Sequence, residues 1–379
     1  MSEFKLKFQM EETDEGEPSG TRLKVVGVGG CGCNIVDDMC LTGVKGAEFI
    51  SVNTDVQSLT SKNADDKIQI GKRLTGGRGA GQMPDRGEKA AEEDRELLEK
   101  KLRDTDMLFI AAGMGGGTGS GAAPVIADIA RSLDILTVGV VITPMKFEME
   151  KSEKKRIVED AVEKMRDKVN ALIVISNQMI FERCDRQIKF SEAYREVNRV
   201  IANIIRGVIY VITETGTQNI DFEDVKTTLK QKGSAYIGIG RASGADRAEK
   251  AFMKALNNPF MGDVTLSGAK NVLVNFAGEV LLNEVAYIEQ LKKETGELAS
   301  AKFGVVEDAS FGDEIEVVVM VSGITERESE APRKAEAETK NLRMSQLTRR
   351  MAENDYNDID IPAYERFKTA GDDKGKQYN

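Results

Sequence analysis

The ten residues Ala112-Gly113-Met114-Gly115-Gly116-Gly117-Thr118-Gly119-Ser120-Gly121 constrain the fold more than any other stretch of this 379-residue chain. The apolar run Met107 to Ala111 precedes them, and Ala122 to Leu133, which reads as a helix, follows. A strand, a glycine loop and a helix N-terminus in that order bring bare backbone N–H groups to the end of a helix dipole, equivalent to roughly half a positive charge. A phosphate chain is the natural occupant. Thr118 and Ser120 add hydroxyl donors, and Pro124 is predicted in the first helical turn, where a missing N–H costs nothing. A flexible linker would account for the glycines alone, but not for the strand and helix around them.

Two further glycine-rich segments precede residue 125. Leu23 to Val28 is a β-branched run opening into Gly27-Val28-Gly29-Gly30-Cys31-Gly32, with a helical pattern from Asn34 to about Leu41. Asp55 follows at the end of the next strand, Ala47 to Val52, at about the 20-residue spacing of a ribose-binding acid. Taken alone this is a dinucleotide fingerprint, and a nicotinamide-dependent oxidoreductase is the alternative it supports. The third segment, Gly71 to Pro84, includes Gly79-Ala80-Gly81 and leads into a charged helix predicted from Arg86 to Leu102. A nicotinamide enzyme needs one such loop, whereas several converging on one polyphosphate fit a nucleoside triphosphate. The chain contains no G-x-x-x-x-G-K-[ST], so it is not a Walker-type NTPase.

Downstream, Ile135 to Ile142 reads as a buried strand ending at Thr143-Pro144. A helix is predicted over Ser152 to Lys168, and another strand, Ala171 to Ile175, closes on Ser176-Asn177. Strands alternating with helices predict an α/β, Rossmann-like parallel sheet. Its ligands lie at the carboxyl ends of the strands, where the glycine loops, Asp55, Thr143 and Asn177 all fall. Tyr194, Val197, Ile201, Ile204, Val208 and Ile212 recur at helical steps and predict one long central helix with a buried stripe. Beyond it, Asn219-Ile220-Asp221-Phe222-Glu223-Asp224 groups three acids, whose spacing fits either a helix cap with first-turn charges or catalytic groups. Residues 234 to 324 predict a smaller α+β unit. Its elements are strands over 235–239, 271–277, 302–307 and 314–323, with helices over 245–257 and 283–295.

The organisation expected is a disordered tail over 1–21, a nucleotide domain over 22–190, the central helix over 191–214 and a second domain over 215–324. A charged linker follows over 325–354, then a peptide over 355–379 whose Ile359 to Phe367 restores apolar side chains suited to binding a partner. Composition excludes other classes. The net charge of −10 argues against a nucleic-acid binder. The absence of histidine removes Ser-His-Asp and Cys-His chemistry and histidine-ligated metals. Cys31, Cys33, Cys40 and Cys184 read as reduced thiols of a cytoplasmic protein, with no metal site. No apolar run reaches the ~20 residues of a membrane span, and no signal peptide is expected.

The loop from Gly115 to Gly121 resembles the glycine signature of the tubulin and FtsZ superfamily, and the string from Ala111 to Ile142 is similar to FtsZ proteins throughout. Asn53-Thr54-Asp55, Gly79-Ala80-Gly81 with Pro84, Asn219 to Val225, and Asp360-Ile361-Pro362-Ala363-Tyr364 match further motifs in the same order. The resemblance implies a GTPase that assembles head to tail into the cytokinetic ring at mid-cell, using GTP/GDP with Mg2+. It also implies regulatory and membrane-adaptor partners at the C-terminal peptide. Gly29, Gly30 and Gly32, with Cys31 and Asn34, would line the diphosphate. Gly79, Ala80 and Gly81 would lie by the γ-phosphate, and Gly115, Gly116, Gly117, Thr118 and Gly119 would cradle the β- and γ-phosphates. Asp55 and Thr143 would border the site, Glu148 would hold the ribose, and Asn177 and Asn198 would bond a guanine stacked on Tyr194. The cation after Phe147-Glu148 is Lys154 by helix register or Arg156 by residue identity, with Arg156 preferred. Asp221 and Asp224, with Asn219, would act on the next subunit's nucleotide.

Overall fold

Runs of β-branched residues between helical segments build a six-stranded sheet whose neighbouring strands are all parallel. The computed structural model describes residues 20–150, 152–183, 187–230, 234–256, 269–289 and 300–324. Residues 1–19 of the tail expected over 1–21, Cys184, the linker, the C-terminal peptide and the far half of the 283–295 helix lie outside them. The strands are β1 (Leu23–Val28), β2 (Glu48–Asn53), β3 (Asp66–Gln69), β4 (Met107–Gly113), β5 (Leu136–Thr143) and β6 (Ala171–Ser176), in the order β3-β2-β1-β4-β5-β6. The chain works outward from β1 to β3, then crosses back to β4. The crevice between β1 and β4 is therefore the switch point at which such sheets bind ligands.

Side chains alternate across the sheet with the period of two that strands impose. Val25, Phe49, Phe109, Val138 and Val140 pack toward α1 (Gly29–Leu41) and the long α9 (Phe190–Thr213). Val26, Ile50, Leu108, Ile110 and Val141 pack toward the helices of the opposite layer. These are α4 (Pro84–Glu93), α5 (Arg95–Leu102), α6 (Thr118–Ser132) and α7 (Ser152–Arg166), while α2 (Val56–Thr60), α3 (Lys72–Thr75) and α8 (Gln178–Arg183) are short connectors.

A second sheet is formed by β7 (Ser234–Ser243), β8 (Asn271–Gly278), β9 (Ser300–Val306) and β10 (Glu314–Ile324) in the order β7-β10-β8-β9. Ile237, Leu273, Val318 and Met320 share the core that contains α9, and Val274, Phe276, Val317 and Val319 pack on the α11 side (Arg247–Leu256). The stripe of α9 thus joins both sheets through Ile201, Ile204 and Val208, each contributing about 2 kcal/mol by burial. Arg206 adds a polar tie, donating at 2.6 Å to Glu316, whose side chain is 1% exposed. The linking segment carries α10 (Phe222–Leu229).

Several boundaries differ from the sequence reading. Helix α1 starts at Gly29 rather than Asn34, because tertiary packing outweighs the poor helix propensity of Gly29, Gly30 and Gly32. A Cβ on Gly32 would lie 2.1 Å from the Ala111 carbonyl oxygen, so glycine is what lets α1 press onto β4. The helix expected over 86–102 is two helices that meet at Asp94, whose carboxylate accepts from Gly71 N at 2.7 Å. Helix α6 begins at Thr118, four residues early, which puts Pro124 in its second turn, where the carbonyl of Ser120 loses its intrahelical donor. Strand β3 was not anticipated, since only Ile68 in Asp66–Gln69 is buried.

Candidate functional site

Parallel strands end on one side, so the segments leaving β1, β2, β4, β5 and β6 converge. Helices α1 and α6 both start there with no side-chain cap and no acid in the first turn, leaving N–H groups and positive dipole ends unanswered. Their first turns touch, as a Cβ on Gly29 would lie 3.0 Å from Gly119 N. The glycines divide by role. Gly117 and Gly119 allow close packing, because a Cβ would fall 2.8 Å from the Ala80 methyl in the first case and 2.3 Å from the Gly113 carbonyl oxygen in the second. Gly30 and Gly116 instead have nothing within 4 Å of an added Cβ and border open space. Gly115 turns the loop at φ +89°, and its N–H donates to Ser120 Oγ at 2.8 Å. Ser120 is buried, and by accepting from the loop's own backbone it braces the loop.

The other loops are pinned to this one. Thr54 and Thr118 share a hydroxyl–hydroxyl hydrogen bond of 2.6 Å, and Gly79 N donates to the Thr54 carbonyl at 3.3 Å. Ala80 is buried against Gly117 while Gly81 is exposed at the rim. Asp55 caps α2, its Oδ1 accepting from Gln57 N at 3.0 Å and Ser58 N at 3.2 Å. One oxygen of its carboxylate is thus engaged as a helix cap.

A second group of residues lies at the ends of β5 and β6. Asn177 follows β6, its N–H donating to the carbonyl of Thr143 at 2.9 Å. Its side-chain Oδ1 is buried without a hydrogen-bond partner, a costly arrangement unless a ligand donor meets it. Tyr194 and Asn198 lie one turn apart on α9 and so share a face. Burial, with Glu148 and Cys31 nearby, pushes the Tyr194 hydroxyl above its ordinary pKa. Burial, with Cys33 adding to it, raises the Cys31 thiol to about 12, so Cys31 is a packing group and not a nucleophile at neutral pH. Asn34 is exposed one turn beyond Gly30 on α1.

Glu148 accepts from Met145 N at 3.1 Å and from Lys154 Nζ at 2.8 Å. Lys154 also reaches the glycine loop, its Cε lying 3.3 Å from where a Gly115 Cβ would stand. Arg156 lines a cleft of about 540 Å3 with Ser120, Gln82, Met83, Asp85 and Lys164. Residues two apart on a helix point in different directions, and Lys154 is the one of the two that pairs with Glu148 beside Gly115.

The acidic loop lies elsewhere. Asp221 caps α10, its Oδ1 accepting from Asp224 N at 2.7 Å, and Asn219 Oδ1 accepts from Gly216 N at 2.6 Å. Asp224 pairs with Lys302 of β9. On the same helix, Lys226 is close enough to Asp106 and Asp134 for an electrostatic interaction. Those residues immediately precede β4 and β5, so α10 sits at the amino ends of the strands. The seven residues of β4 span about 20 Å and separate it from the glycine loops. The nucleotide-type loops and the acidic loop therefore occupy opposite poles. Lys302 escaped sequence reasoning because nothing local marks it, and Thr54 sits inside a recognised motif without having been singled out.

Comparison with known proteins agrees with this geometry. The family model for the tubulin/FtsZ family GTPase domain matches residues 22–185, and that for the FtsZ family C-terminal domain matches residues 233–325. The cell division protein FtsZ of Neisseria meningitidis serogroup A is 39% identical over 319 residues, covering 83% of this chain and 81% of that protein. Among solved structures, an FtsZ dimer of M. jannaschii aligns with a TM-score of 0.73 and 34% identity over 80% of this chain and 89% of the other. A CetZ2 protofilament of Haloferax volcanii with bound GTPγS shares the fold, with a TM-score of 0.67 at 21% identity over 86% of this chain and all of the other.

Proposed function

Because the chain belongs to the FtsZ family of GTPases, we propose that it is a self-assembling cell-division GTPase that cleaves GTP only where two subunits meet. One observation carries the second half of that reading: the glycine loops and the Asp221–Asp224 carboxylates lie at opposite poles of one protomer. The oxidoreductase alternative has no support from the family matches.

In this reading the first-turn N–H groups of α1 and α6 bind the phosphates over Gly29, Gly30, Gly115, Gly116 and Thr118, with Gly79 to Gly81 at the γ-phosphate end. Asn177 Oδ1 accepts from guanine, with Asn198 beside it and Tyr194 against the ring. Glu148 binds the ribose, and Lys154 supplies the cation near Gly115. Among the described residues no cluster of three or more Asp, Glu or Cys could hold a metal. Mg2+ would supply charge neutralisation at the phosphates during transfer. These groups bind and neutralise the nucleotide, and phosphoryl transfer also depends on positioning the attacking water. Asp221 and Asp224 of the adjoining subunit provide that positioning, which couples turnover to assembly. In this division residues 22–190 bind the nucleotide and residues 215–324 present the carboxylates. We also assign the peptide 355–379 to division-site adaptor proteins. Among the described residues no helix is long and apolar enough to cross a membrane.

Phosphate release per molecule is expected to rise steeply with protein concentration. Asp224→Ala, or Asp221→Asn, which keeps the helix cap, leaves GTP binding by the monomer unchanged and lowers turnover on the order of 100-fold. Dilute, strictly monomeric protein cleaving GTP as fast per molecule as concentrated protein would overturn the reading. Removing residues 355–379 should leave the concentration dependence intact while abolishing adaptor binding.

A further inference from the structure

Strand β9 is an outer strand of the second sheet, and the loop before α10 lies along it. Gln218 and Val305 exchange backbone hydrogen bonds of 2.8 and 3.2 Å. Lys302 and Gly304 share a face of β9, by the period of two. A Cβ on Gly304 would meet Ile220 Cδ1 at 2.8 Å, so this face supports the acidic loop. Lys302 Nζ accordingly meets Asp224 Oδ1. The loop places three carboxylates within four residues, each with a distinct partner. Asp221 takes the Asp224 backbone N–H, Glu223 takes Lys226 at 2.7 Å, and Asp224 takes Lys302.

A carboxylate that must approach a neighbour's triphosphate meets strong repulsion, and the repulsion grows as the interface excludes water. We infer that Lys302 is a positioning residue for the interfacial reaction: seated on Asp224, it fixes that side chain and accompanies it into the neighbour's site, offsetting the repulsion. As a half-exposed pair in the free protomer it adds little to stability. Its effect arises when a second subunit covers it. The inference rests on the reading that Asp224 acts across the interface.

The test compares Lys302→Met, Lys302→Gln and Lys302→Arg with Asp224→Ala in the full-length protein. Readouts are GTP turnover per pelleted subunit, its dependence on KCl concentration, GTP affinity of the monomer, and thermal melting. Lys302→Met and Lys302→Gln are expected to lower turnover about tenfold, and added KCl should recover part of that loss by screening the uncompensated repulsion. Lys302→Arg should restore turnover to within about twofold, because it keeps the charge. Monomer affinity and melting should stay at the parental values, and Lys302→Met should add nothing to Asp224→Ala. Parental or faster turnover by both neutral variants, with Asp224→Ala impaired, overturns the role of Lys302 alone. Parental turnover by Asp224→Ala overturns the interfacial reading itself.

Discussion

At the scale of single residues, an unsatisfied atom is as informative as a bond. Asn177 Oδ1 is buried and unpartnered, whereas the Asn219 amide oxygen and one oxygen of the Asp55 carboxylate are committed to nearby backbone N–H groups. An orphaned buried acceptor costs about 1–3 kcal/mol, which a ligand donor would recover. Asn177→Ala is therefore expected to leave thermal stability unchanged or slightly raised while weakening GTP binding about 10- to 100-fold, measured by equilibrium binding to the monomer. Asn177 was legible in the sequence as the residue ending a buried strand. That its oxygen has no partner was not, because hydrogen-bond satisfaction depends on residues far away in the chain.

At the scale of elements, glycines that look alike in the sequence do different work. Gly32 lets α1 approach β4, with the Ala111 carbonyl oxygen 2.1 Å from an added Cβ, while Gly116 has nothing within 4 Å. Gly32→Ala should push α1 off the sheet and destabilise the protein by about 3 kcal/mol in urea unfolding. Gly116→Ala should unfold at the parental midpoint yet bind GTP poorly, since its methyl enters the ligand's volume. A matching stability loss for both would contradict this division. The strand-loop-helix order around each segment was readable from hydrophobic runs, but the first turns of α1 and α6 were not. Glycine-rich turns have poor helix propensity, and packing against β4 is what makes them helical.

Across the whole molecule, α9 is the shared wall of two sheets. Its apolar stripe was plain in the sequence, but its polar tie was not, because Arg206 and Glu316 are far apart in the chain and Glu316 sits inside an apolar strand. Arg206→Ala would strand a carboxylate that is 1% exposed and should cost about 3 kcal/mol in urea unfolding. Adding Glu316→Gln should recover part of that loss. If Arg206→Ala unfolds at the parental midpoint, the pair is not what joins α9 to the second sheet.

The sequence by itself determined the class of fold, the glycine-rich segments at strand ends and the family. Those follow from local order: apolar runs of strand length, glycines at strand ends, and motifs in a fixed succession. Only the tertiary structure decided that Lys154 approaches Gly115, that Ser120 braces the loop, and that Asp224 carries Lys302. It alone set the glycine loops and the acidic loop at opposite ends of the parallel sheet. Such facts depend on the direction each side chain takes from its element and on which distant strands lie side by side, and neither is written in the spacing of residues along the chain.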